Sequence, residues 1–212
     1  MHPTRRPIAT SLAAFLIVCI ALVLVPATPA GADGIKDRFP KVAAVKKLFP
    51  LVNGLEIESD YDGGVFFPSC AGVEDPDTSG LVNVWIGAYN LPDTSPSRAT
   101  RPYPWVYKFA TARKAKRVMR QVRSQVNGCL GFREDVDTYS RISKMNAPNI
   151  GDDTFGFQAM WGTTFEGVYY KYRSVWIRSG KWILDAQVRR HPGKVPAKKT
   201  RAFARLLYRT GG

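Results

Sequence analysis

The chain is short of the side chains on which most enzymes depend. Its 212 residues include 2 histidines, one of them at position 2, so His191 stands without a second imidazole for a zinc site. No G-x-S-x-G elbow and no phosphate-binding P-loop occurs. Cysteine is limited to Cys19, Cys70 and Cys129, which excludes a disulfide-dense mini-protein. No apolar run approaches the roughly 20 residues that span a bilayer, since Leu12 to Val25 is only 14 long. Two absences concern charge: residues 48–97 contain no Lys or Arg, and residues 112–127 contain no Asp or Glu.

What is present describes a folded, basic protein. The composition is 45% hydrophobic and 23% charged, with 18 Gly and 15 Pro. That fits one compact domain, alone or with a short appendage, and excludes a disordered, collagenous or coiled-coil chain. Lys and Arg number 31 against 17 Asp and Glu, a net charge of +14.

The first 32 residues have the parts of a secretory signal peptide. Arg5 and Arg6 precede the Leu12–Val25 run, Pro26 ends it, and Ala27-Thr28-Pro29-Ala30-Gly31-Ala32 supplies small residues for cleavage. Cleavage is expected after Ala32, with Ala30 as the second candidate; an uncleaved anchor is the competing reading. Leu16-Ile17-Val18-Cys19 is a poor lipoprotein site, because Val18 is bulky and the apolar run continues past Cys19. Loss of residues 1–32 takes Lys and Arg from 31 to 29 and the net charge from +14 to +12. It also leaves only Cys70 and Cys129. Two cysteines in an exported protein most simply form one disulfide, and closing a loop of about 60 residues stabilises by roughly 4 kcal/mol.

Residues 33–49 are predicted to be a linker or docking helix, with weak helical spacing at Val42, Val45 and Leu48. The binding domain is placed at 50–212. Leu81 to Tyr89 forms the first clear strand, with Val82, Val84, Ile86 and Ala88 on one face. Asn90 to Pro104 is a Pro-rich loop, and Trp105 to Phe109 a second strand. The strongest helix starts at Thr111, a natural N-cap, and ends at Gly128. Ala112, Ala115, Val118, Met119, Val122 and Val126 share its apolar face. An irregular stretch follows, then strands over Phe155–Trp161, Val168–Arg178 and Trp182–Arg189. A hairpin at Arg178-Ser179-Gly180-Lys181 joins the last two. A closing helix over Ala197–Tyr208 turns Phe203, Leu206 and Leu207 inward. The expected class is α+β: a mostly antiparallel sheet with helices packed on one face and one disulfide.

Several segments in this order resemble the PknH-like extracellular (sensor) domain family of actinobacteria. They are Phe67-Pro68-Ser69-Cys70, the aromatic strand and Thr-capped helix of Tyr107 to Ala115, and the helix end Asn127-Gly128-Cys129. Ile150-Gly151-Asp152-Asp153, the hairpin around Arg178-Ser179-Gly180 and the closing helix complete the set. The resemblance covers roughly residues 50–210. It implies a sandwich-like α+β domain with a cleft, used for binding rather than catalysis, as a stand-alone secreted protein. The second disulfide of the kinase sensors has no counterpart, and these 212 residues include no kinase segment.

Catalytic and metal readings are weak. Glu56, Glu58, Asp60 and Asp62 alternate along one extended face and could supply a carboxylate pair, against the simpler reading of a solvated strand face or intramolecular neutralisation. Asp75-Pro76-Asp77-Thr78-Ser79-Gly80 matches the first half of a calcium loop, but Ile86 occupies the twelfth position where a bidentate Glu is needed. No cofactor, metal or enzymatic activity is expected.

Charge segregation points to function instead. Arg113, Lys114, Lys116, Arg117, Arg120 and Arg123 occupy the outer side of the strongest helix. Like charges three and four apart repel, and Arg113 and Lys114 oppose the helix dipole. A helix chosen for stability alone would mix signs. These six are therefore the candidate anion-binding residues, against internal neutralisation by the acidic 48–97 segment or an Arg-rich compositional bias. Tyr170, Tyr172, Trp176 and Trp161 are the candidate wall of a ligand cleft, core packing being the alternative. The leading expectation is an exported, non-catalytic ligand-binding domain at the cell envelope, with an anionic polymer, glycan or glycolipid as ligand. The alternative is an electrostatic adaptor working through the basic helix; a secreted hydrolase comes third. Specific nucleic-acid recognition is not expected, and membrane contact is peripheral if the leader is removed.

Overall fold

The computed structural model describes residues 33–59, 70, 73–96, 99–134, 138–163, 169–190 and 193–212, without the side chains of 33, 132–140 and 161–170. The leader, Asp60, Asp62 and His191 lie outside this set. The described residues belong to one compact unit that starts at Gly31.

Ten strands form an antiparallel sheet among the described residues. In chain order they are β1 (Gly54–Ser59), β2 (Leu81–Asn90), β3 (Thr100–Pro102), β4 (Trp105–Phe109), β5 (Gly131–Glu134), β6 (Thr138–Met145), β7 (Asp153–Thr163), β8 (Tyr169–Ser179), β9 (Trp182–Asp185) and β10 (Val188–Arg190). The order across the sheet is β1-β2-β4-β9-β8-β7-β6-β5, with β10 between β8 and β3. Four helices accompany it among the described residues: α1 (Asp33–Lys36), α2 (Val42–Lys46), α3 (Ala112–Gly128) and α4 (Ala197–Gly211). The class is α+β with one disulfide, Cys70–Cys129, whose Cα atoms are 5.9 Å apart.

The helices do not share one face, which corrects the expected layering. The central strands are apolar at consecutive positions, the mark of a sheet covered on both sides. Val84 and Ile86 of β2, Tyr107 of β4, Trp176 of β8 and Ile183 of β9 pack with Ala115, Val118, Met119 and Val122 of α3. Their neighbours Trp85, Val106, Val175, Ile177 and Leu184 point the other way. There they meet Phe203, Ala204 and Leu207 of α4, together with Ile35, Phe39, Val45 and Phe49 from the N-terminal segment. Ile35, Phe39, Val45 and Phe49 of the 33–49 segment are therefore core. Gly87 makes this possible: a Cβ there would lie 2.7 Å from the Phe39 ring.

Other departures have local causes. Val82 is 52% exposed, because the β2–β4 register shifts between Leu81 and Asn83. Ala112 is exposed in the first turn of α3. The irregular stretch after α3 contains β5 and β6, and the Pro-rich loop contains β3. The expected Trp182–Arg189 strand is two: β9 pairs with β4, and β10 pairs with β3.

Candidate functional site

Helix α3 begins as the sequence dictates. Thr111 is extended (φ −141°, ψ 156°), and its hydroxyl accepts a hydrogen bond from the Lys114 amide at 3.2 Å. The inner face is buried, and Gln125 joins it, donating from Nε2 to Asp75 at 3.0 Å. The six outer cations divide into two sets of three. Arg117 pairs with Asp77 at 3.4 Å, and Lys114 Nζ donates to the Ser79 hydroxyl at 3.2 Å. Arg123 pairs with Asp153 at 2.6 Å, donates to the Thr154 carbonyl and lies 5.1 Å over the Phe155 ring. Arg113, Lys116 and Arg120 are exposed and have no ion pair among the described residues. Their spacing of three and then four places them on one stripe. Internal ion pairs thus neutralise two of the six, a hydroxyl holds a third, and Arg113, Lys116 and Arg120 are left to solvent.

The acidic residues beside α3 are occupied with structural work. The Ser79 amide and hydroxyl, followed by Arg117 and Lys114, hold the Asp77 carboxyl below its ordinary value. With Asp75 accepting from Gln125, these two carboxylates close a turn against the helix. Glu56 and Glu58 are exposed on β1, and Glu56 accepts from Asn90 Nδ2 at 2.6 Å.

The aromatic residues expected to wall a cleft are placed differently. Tyr172 is 7% exposed and Trp176 fully buried, both under α3. They belong to a continuous row of rings, Tyr103-Trp105-Tyr107-Trp176-Phe155-Phe157-Tyr172, with successive centroids 5.5–6.4 Å apart. Such spacing is favourable for offset and edge-to-face packing. Trp161 and Tyr170 face each other in register across β7 and β8, but their side chains are outside the described set. Tyr172 and Trp176 are core, not a cleft wall, because the face they share is the one α3 covers.

Beneath this row lies a polar group that the sequence did not single out. Asp185, at the end of β9, is 1% exposed, with Trp105 and Trp176 as its strand neighbours. The Ser174 hydroxyl donates to it. Burial pushes the carboxyl up to about 7, against the opposing pull of the Ser174 hydrogen bond and the Arg189 charge. Burial, and then the Asp185 charge, also push the Tyr172 phenol up. Arg189 stacks 3.9 Å over Tyr103 and donates to Gln187. A lone acid inside an apolar strand, as in Trp182-Ile183-Leu184-Asp185, is the sequence signal that could have found it.

Three described concavities interrupt the surface. One of about 500 Å³ separates the 73–77 turn from α3, and one of about 560 Å³ lies between Asn53 and Arg101 at the β1–β2 end. Both contain carboxylates. The third, about 380 Å³, opens on the sheet face away from α3 and is bounded by Arg141, Lys171 and Lys194. Asp185 lines none of them.

No family model matches the sequence, and no curated protein matches it. The fold is similar to the crystal structure of the extracellular domain of PknH from Mycobacterium tuberculosis. The TM-score is 0.56 at 11% identity, covering 82% of this chain and 92% of that one. An uncharacterized protein from Mycobacterium smegmatis matches with a TM-score of 0.42 and 11% identity, covering 80% and 97% of the two chains. The first likeness shows that the chain shares the fold of that extracellular domain.

Proposed function

We propose that the protein is an exported, non-catalytic, sensor-like domain that binds anionic polymers or lipids of the cell envelope through the outer face of α3. The observation that carries this reading is the stripe of Arg113, Lys116 and Arg120, exposed on a rigid, capped helix and left without carboxylates. Keeping three like charges together is unfavourable for the helix itself, so an external anion is the natural partner. The fold it shares with the extracellular domain of a kinase supports a location outside the cell and a binding role. The disulfide agrees with an oxidising compartment.

The test is retention of the purified protein on envelope fractions at low and high salt. Binding through the stripe should fall by about tenfold or more in 0.5 M salt, where the screening length is only a few ångströms. The triple variant Arg113→Gln, Lys116→Gln, Arg120→Gln should behave at low salt as the native protein does at high salt. Undiminished retention of that variant would refute the assignment of the surface.

A further inference from the structure

The third concavity is built by strand register. Arg141 of β6 lies opposite Met160 of β7, Met160 opposite Lys171 of β8, and Lys171 opposite Arg190 of β10. One row across the sheet therefore runs Arg-Met-Lys-Arg on a single face. The next row contributes Ser143, Gln158 and Arg173. Adjacent strands are about 4.8 Å apart, so Arg141 and Lys171 start about 10 Å apart with the Met160 side chain between them. Two extended cationic side chains span that distance around a small anion. Lys194 closes the rim from the loop before α4. Arg190 donates to the Lys194 carbonyl at 3.1 Å, while positive φ at Gly193 lets the loop lie against the Arg190 side chain.

No described residue lining this groove is a carboxylate. Like charges directly opposite one another on neighbouring strands are destabilising, yet Lys171 and Arg190 face each other. The field is raised further from α4. Burial first, and the Arg201 charge second, push the Arg173 guanidinium below its ordinary value, and Arg173 is tied to Gln158 at 2.8 Å rather than to an acid. A concave wall with one sign of charge focuses its field into the groove. Ser143 and Gln158 add polar groups among the cations.

From this placement we infer that the groove between β6, β8 and the Lys194 loop is a binding site for a phosphate group, held by Arg141 in a fork geometry and by Lys171 and Lys194 as point charges. The inference rests on the reading of the protein as an anion binder. It places a discrete ligand on the opposite face of the sheet from α3.

The experiment is an NMR titration of the 15N-labelled protein at constant ionic strength, with inorganic phosphate, sn-glycerol 3-phosphate and phosphatidylglycerol vesicles as probes. Saturable shifts are expected at 141–143, 158–160, 171–173 and 194–195. Tighter binding of glycerol phosphate or vesicles than of phosphate assigns the group to a lipid headgroup or phosphodiester polymer, and equal binding assigns it to phosphate itself. The Arg141→Gln, Lys171→Gln variant should weaken binding at least tenfold. Lys194→Gln, altered only at an exposed loop residue, should weaken it several-fold with the native spectrum otherwise kept. The α3 triple variant should leave these shifts unchanged. Absence of saturable shifts in the groove, or their loss on changing α3 rather than the groove, overturns the inference while leaving the α3 assignment standing. Envelope retention lost in the groove variants and kept in the α3 variant would overturn the α3 assignment and leave the groove.

Discussion

The substitution Asp185→Asn isolates the energetic role of the carboxyl buried under the aromatic row. The carboxyl titrates near 7 in the folded chain, raised by burial, and near 3.8 when exposed. Ionising it inside the fold therefore costs about 4 kcal/mol relative to the unfolded chain. The sign follows from which state holds the proton more tightly. Below about pH 4 both states are protonated and no cost is present. Between about pH 4 and 7 the unfolded chain releases the proton while the folded one keeps it, so stability falls as pH rises. Above about 7 both are ionised and the curve is flat. The amide of the Asp185→Asn variant has no proton to lose, and its carbonyl can still accept from Ser174. Urea unfolding followed by Trp fluorescence should therefore show the stability difference between the variant and the native protein moving by about 4 kcal/mol in favour of the variant between pH 4 and pH 8. With a denaturant slope of about 2 kcal/mol/M, that is a midpoint change of about 2 M. Parallel profiles, differing by a constant at every pH, would refute the reasoning.

Two further outcomes follow from the geometry. Removing the disulfide as Cys70→Ser, Cys129→Ser should destabilise by about 4 kcal/mol, as expected for the 59-residue separation, read as a lower urea midpoint under non-reducing conditions. Thr111→Ala should cost about 1 kcal/mol by loss of the cap to the Lys114 amide, and Thr111→Ser should restore most of it.

How much of the fold is legible varies with how each element earns its place. Helix α3 can be read almost to the residue, because its apolar spacing, Thr111 cap and Gly128 end agree. Strand β6 escapes a reading by pattern because Thr138-Tyr139-Ser140-Arg141-Ile142-Ser143-Lys144-Met145 is mostly polar and its one fully buried described side chain is Ile142. The second covered face of the sheet is signalled by Val84-Trp85-Ile86, apolar at both parities, although simple alternation suggests one face. The break between β9 and β10 is tertiary in origin: the Val175 and Ala186 backbones still bond each other, while the partner on the other side changes from β4 to β3. Of the site, the basic stripe is visible as helical spacing. The two ion pairs on it, to Asp77 and Asp153, come from residues 30 or more positions away. The groove exists only once Arg141, Lys171 and Lys194 are brought together by register and loop.

The second core ties the order of synthesis to the order of folding. Phe203 of α4 meets Phe49 and Tyr89 edge-on at 5.9 and 6.0 Å, and Arg38 donates to the Gly211 carbonyl. The earliest and latest described segments are thus two walls of one apolar compartment. A chain emerging from its N-terminus can form α3 and the middle strands, but the face of the sheet opposite α3 stays unsealed until the last helix arrives. Until then Phe49 and Tyr89 lack the Phe203 ring that each meets edge-on, and the second core cannot close.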